Sequence, residues 1–228
     1  MDLKIVLLLL ATVLLLTTSF IYGLKFLKVR NYLLGGEWLV VALSSANLLA
    51  HLLSGAQLPY EISMFCDAFS RGFGIPVIAV AGLMAVTHHY EPSKLTDILF
   101  FVLSIAATAV FVSADFLAKL LPYFYLLMWT AFSIYLAYFA YRLMRVGKNL
   151  HAIGVIVALI LGQAIALMEE FFKIPGDEDK VIFFTLALST WAYMGVQMYY
   201  SYFALERAEP SESPRKSEVG NRTSGAFF

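Results

Sequence analysis

The chain has 228 residues, 61% of them hydrophobic and only 14% charged, with a mean hydropathy of +0.77. Soluble domains carry about 45–50% apolar and about 25% charged residues, and a fold of this length leaves roughly a third of its unfolded surface in water, which excludes an ordinary soluble protein. Sixteen basic and sixteen acidic residues cancel and leave no field to draw nucleic acid, while the lone Cys66 excludes an internal disulfide and any zinc site built on several thiolates.

A membrane crossing takes about 20 mostly apolar residues at about 1.5 Å each, over a hydrocarbon core about 30 Å thick. Seven stretches meet this requirement: 5–24, 36–56, 72–90, 97–118, 122–142, 152–172 and 181–204. The expectation is an all-α integral membrane protein, a seven-transmembrane-helix bundle over residues 1–205. Residues 206–228, rich in Ser, Glu, Arg and Pro and without hydrophobic period, read as a disordered cytoplasmic tail. The weakest break is 115–122, short and half apolar, yet 97–142 is too long for one span.

The first span reads as a retained helix rather than a cleaved leader. Asp2 and Lys4 cancel ahead of it, and no small-x-small cleavage site follows. Orientation follows the Lys/Arg bias of the short loops. With the N-terminus outside, Lys25, Lys28, Arg30, Lys94, Arg142, Arg145, Lys148 and four tail residues face the cytoplasm, eleven against five outside. The C-terminus is then cytoplasmic, in a plasma membrane or a bacterial inner membrane.

Polar groups inside a span cost free energy unless they face the bundle interior or water. In the second span Glu37, Ser44, Asn47, His51 and Ser54 fall on one helical face, opposite a lipid-suited face containing Leu39, Leu43 and Leu53. The third span opens with Asp67 and Arg71, four residues apart and able to pair, and Pro76 inside it predicts a kink. Asp115 closes the fourth span. In the sixth, Gly154, Ala158, Gly162 and Ala166 repeat the small-xxx-small pattern that lets helices approach closely, and Glu170 is next in that series beside Glu169. The seventh carries Thr185, Ser189, Tyr193, Gln197 and Ser201, either a path lining or a ladder of bonds between helices.

On the assigned orientation His51, Asp67, Arg71, Asp115 and Glu170 share the outer third of the membrane. That layer is the candidate site, with His51 and Glu170 as a protonatable pair and Asn47, Tyr193 and Gln197 as further ligand-binding or gating residues. No lysine stands in 149–172 or 181–204 for a retinal Schiff base, and no histidine pair at equal depth brackets a haem. No catalytic, metal or phosphate-binding motif appears, so no cofactor and no metal are expected. The leading reading is a protein that binds or transports a small solute or ion through a path lined by spans two, six and seven. A sensor or assembly subunit that binds partner membrane helices is the alternative, and an intramembrane lipid-modifying enzyme is third.

Overall fold

The computed structural model describes residues 2–90, 92–172 and 174–209, and the side chains of Asp115 and Glu170 also lie outside what is described. Its helices are α1 (Leu3–Lys28), α2 (Tyr32–Ser54), α3 (Gln57–Thr87), α4 (Lys94–Ser113), α5 (Leu121–Arg145), α6 (Asn149–Glu170) and α7 (Val181–Ala208). All seven are long and apolar enough to cross a membrane, and no strand occurs among the described residues. The last helix runs four residues past the expected 204. Residues 210–228, most of the expected tail, lie outside the described residues.

Short connections reverse the chain after every helix, so the starts of α1, α3, α5 and α7 share one end of the bundle. We call this the amino-terminal end, and the other the carboxy-terminal end. Helix α1 packs on α2 and α7, α2 on α3, α3 on α5, α5 on α6 and α6 on α7, which closes a ring. Helix α4 lies outside that ring against α3, and only Ser104 and Thr108 of it are buried. Phe26, Trp38, Leu136, Phe139, Met194 and Met198 fill the interior. Helices α1 and α2 approach closely: a Cβ on Gly23 would sit 3.2 Å from the Gly35 carbonyl oxygen. Large apolar side chains such as Leu103, Leu127, Ile134, Ile153 and Ile160 remain exposed around the outside. A surface of that character matches lipid tails rather than water.

The third helix differs most from expectation. Its start was expected at 72, and it begins at Gln57. The stretch 55–71 reads as a break because it contains Pro59, Glu61, Asp67 and Arg71. Pro59, however, stands in the first turn, where backbone N–H groups have no partner within the helix and proline costs nothing. Asp67 and Arg71, one turn apart, neutralise each other. The expected kink at Pro76 takes the form of a π-helical stretch, Ser70–Ala79, between α-helical Gln57–Phe69 and Val80–Thr87. Proline removes one donor, and the wider turn redistributes the bonds around the gap.

At the carboxy-terminal end Arg142 donates to the Thr87 carbonyl (2.7 Å) and the Tyr138 hydroxyl (2.9 Å) and pairs with Glu209. This ties together α3, α5 and the end of α7. Three basic residues at helix junctions hold left-handed backbone: Arg30 (φ 62°), His89 (φ 52°) and Lys180 (φ 55°).

At the amino-terminal end Asp177 accepts from the N–H groups of Ile182 (2.9 Å) and Phe183 (2.8 Å), capping α7. Desolvation pushes the Asp177 carboxyl up, but bonds from Ile182, Phe183 and Val181 and the Lys4 charge outweigh it and hold the group below the usual carboxylate range. A carboxyl lowered by folding adds stability above its unfolded value and loses it as pH falls through the folded one. The thermal midpoint of the wild type should therefore exceed that of Asp177→Asn at neutral pH, with the gap closing on acidification. A gap independent of pH would remove the charge from the cap's contribution.

Candidate functional site

A partly enclosed space with a mainly apolar lining lies toward the amino-terminal end, between α1, α2, α3, α6 and α7. It gives ≈ 50 Å³ to the centres of water-sized molecules, enough for a few waters. Its polar wall is Ser44 and Ser45 from α2, Ser63, Asp67, Ser70 and Arg71 from α3, and Glu169 from α6. Leu15 and the α7 face of Phe183, Phe184, Ala187, Leu188 and Trp191 form the apolar wall. The Ser44 hydroxyl reaches the Ser63 carbonyl at 3.1 Å and the Ser63 hydroxyl at 3.2 Å, fastening α2 to α3.

Arg71 is the centre of the charge arrangement. Its Nε lies 2.9 Å from Asp67 Oδ2 and its Nη1 2.6 Å from Glu169 Oε1, so it bridges α3 to α6. The guanidinium also lies 4.4 Å from the centroid of the Tyr125 ring on α5, a cation–π contact. A second, smaller space of ≈ 20 Å³ lies beyond, lined by Arg71, Tyr125, Trp129, Ile165, Ala166, Glu169 and Trp191. Arg71, Ile165, Glu169 and Trp191 border both spaces and form the partition between them. Trp191 is itself braced by stacking on Trp129, at 5.7 Å between centroids.

Of the residues expected at the site, Asp67 and Arg71 come together in this wall. His51 lies at the α2–α3 turn instead, its Nδ1 2.9 Å from the Ala56 carbonyl and its ring 4.9 Å from that of Tyr60. Asn47 donates to Leu43 in its own helix at 2.9 Å. Asp115 begins a short 3₁₀ turn and Glu170 ends α6, and their side chains lie outside the described residues.

The polar stripe of the last helix turns away from the cavity. Tyr193 donates to the Gly154 carbonyl (3.1 Å), and Gln197 to the His151 carbonyl (3.1 Å) and Ser201 (2.9 Å). The small residues of α6 receive these neighbours: a Cβ on Gly154 would strike the Gln197 carboxamide, and one on Gly162 would lie 3.1 Å from the Trp129 indole nitrogen. Ala158 is buried, and Ala166 is partly buried against the core. Spans six and seven are thus stitched to each other through Tyr193 and Gln197, while Glu169 of α6 and Trp191 of α7 border the cavity together with α3.

Sequence reasoning passes over several residues of this region, Ser45 and Ser63 among them. Glu169 was set aside in favour of Glu170, and Ser70 and Trp191 carried no signal at all. Glu37 was placed on the polar face of its helix but not in the site, although it is fully buried. Its 7-residue spacing from Ser44 was the available clue.

A larger and more polar cleft of ≈ 750 Å³ at the carboxy-terminal end mixes Lys28, Arg30, Lys94, Asp97, Glu206 and Glu209. Among the described residues no group of three His, Cys, Asp or Glu is placed to hold a metal ion. Seven apolar helices ringed by exposed aliphatic side chains have the character of a multi-pass membrane protein. No family model, curated protein or solved structure matches the chain.

Proposed function

We propose that the chain is a multi-pass membrane protein that binds a small polar solute or ion in the amino-terminal cavity and passes it toward the carboxy-terminal end. The observation that carries this reading is the Arg71–Glu169 partition between two adjoining spaces. Ion pairs inside a span are expensive, and they recur where a polar ligand must be met or a path interrupted. The serines on the opposite wall supply hydroxyls that both donate and accept. The occupation of the small-residue face of α6 by Gln197 and Trp129 favours this reading over one in which that face binds partner helices. We further propose that the amino-terminal end faces outward, because the basic residues Lys25, Lys28, Arg30, Lys94, Arg142, Arg145 and Lys148 gather at the other. The membrane is then a plasma membrane or a bacterial inner membrane.

Trp191 gives the test its signal, because it borders both spaces. The purified full chain is titrated with alkali cations, inorganic phosphate, amino acids and monosaccharides while tryptophan fluorescence and the thermal midpoint are followed. A ligand should change the fluorescence saturably and raise the midpoint, by mass action on the folded state. Glu169→Gln should weaken that response, and Trp191→Phe should remove the optical signal while keeping the thermal one. No response to any probe, or an unchanged one in Glu169→Gln, would overturn the assignment.

A further inference from the structure

Behind the cavity wall lies an acid that the proposed path does not use. Glu37 is 0% exposed, and neither of its carboxyl oxygens has a hydrogen-bond partner. The carboxyl group presses on Gly74, in the middle of the π-helical stretch, where a Cβ would collide with it. Its polar neighbour is Ser70, whose hydroxyl is likewise buried and is close enough to act on the carboxyl group. Ser70 also lines the cavity, so a single hydroxyl separates the acid from the space beyond.

The groups around it decide what this acid can bind. From α3 the ionisable neighbour that feels its charge is the Cys66 thiol, while Asp67 and Arg71 on the same helix are paired with each other. Helix α1 has no ionisable side chain between Lys4 and Tyr22, and on α7 the Tyr193 hydroxyl is committed to Gly154. On α4 the charged residues are Lys94 and Asp97, both in its first turn at the carboxy-terminal end, and on α5 Tyr125 lies under Arg71. Among the described residues no cation therefore compensates an ionised Glu37, and a buried carboxylate without one is resolved by neutralisation. A hard metal cation takes about 6–8 oxygen ligands, far more than one carboxyl group and one hydroxyl offer. The ligand that this site fits is a proton.

We propose that Glu37 is an intramembrane proton-binding site loaded and unloaded through Ser70 from the amino-terminal cavity. On unloading, the carboxyl O–H bond breaks and its proton passes to the Ser70 oxygen, while the original Ser70 proton leaves to solvent in the cavity. Loading is the reverse, and no redox partner is required. Ionised Glu37 then disfavours its close contact with Gly74, so the proton governs how α2 lies against the π-helical stretch. Only the route rests on the proposed solute cavity; the acid and its burial do not.

The test is infrared spectroscopy of the full chain in an ester-free detergent, where a protonated carboxyl group has its own carbonyl stretch. The wild type at neutral pH should show that band, Glu37→Gln should lose it, and alkaline pH should bleach it reversibly. Ser70→Ala should slow the bleaching severalfold while leaving the band in place. If Glu37→Gln does not fold, Glu37→Asp keeps the acid, shortens it by a methylene and should shift the band. A wild type without the band, a band unchanged by either Glu37 variant, or one that never bleaches would overturn the inference. Bleaching at the wild-type rate in Ser70→Ala would overturn the route. None of these readouts depends on a solute, so a silent fluorescence titration would defeat the cavity reading while leaving this one standing.

Discussion

Arg71→Leu should destabilise the folded chain by about 3.5–4 kcal/mol, measured by chemical unfolding in detergent. The substitution leaves Asp67 and Glu169 as two carboxylates in a confined site with their common cation gone. Breaking a buried ion pair from one side costs about 3–5 kcal/mol, and the lower end applies because the three side chains keep 18%, 29% and 19% of their exposure. Loss of the contact with Tyr125 adds about 0.5–1 kcal/mol. Most of the loss should return in the triple variant Arg71→Leu, Asp67→Asn, Glu169→Gln, because neutral amides are not left as unpaired charges. If the triple variant is no more stable than the single one, packing rather than charge explains the role of Arg71.

The second large effect concerns Gly74. Gly74→Ala places a methyl group on the Glu37 carboxyl, inside a fully packed interior. Overpacking of this kind costs about 1–3 kcal/mol, and about 2 kcal/mol is expected here because both partners sit on helix backbones with little freedom to retreat. Glu37→Ala removes the obstruction, so Gly74→Ala introduced into that background should cost much less than in the wild type. The double-mutant cycle measures the contact directly. Equal costs in the two backgrounds would mean that the π-helical backbone itself, and not the carboxyl group, requires glycine.

Seven helices were legible because length and hydropathy act locally, and each span had to satisfy them alone. The third start was misplaced because Pro59, Glu61 and Asp67 look like a break until their positions within a helix are known. Asp67 and Arg71 could be paired from their spacing, yet Glu169 could not be joined to them, since that contact depends on α3 lying beside α6. Glu37 was visible on a polar face, but nothing in a helical projection says that its neighbours offer no partner. Tyr193 and Gln197 fitted a lining and a ladder equally well, and only the placement of α6 distinguishes the two. Pro76 announced a disturbed helix without indicating that the repair would be a wider turn.

The left-handed residues Arg30, His89 and Lys180 bring two demands into conflict. Glycine is the easy occupant of that backbone region, and a side chain there carries strain. In each case the chain keeps a basic residue at a helix junction. Arg30→Gly would relax its turn and yet delete one of the charges on which the proposed orientation rests. A more stable fold and, on the proposed orientation, a less decisive topology would come from the same change, so screening for thermal stability alone would select against correct insertion.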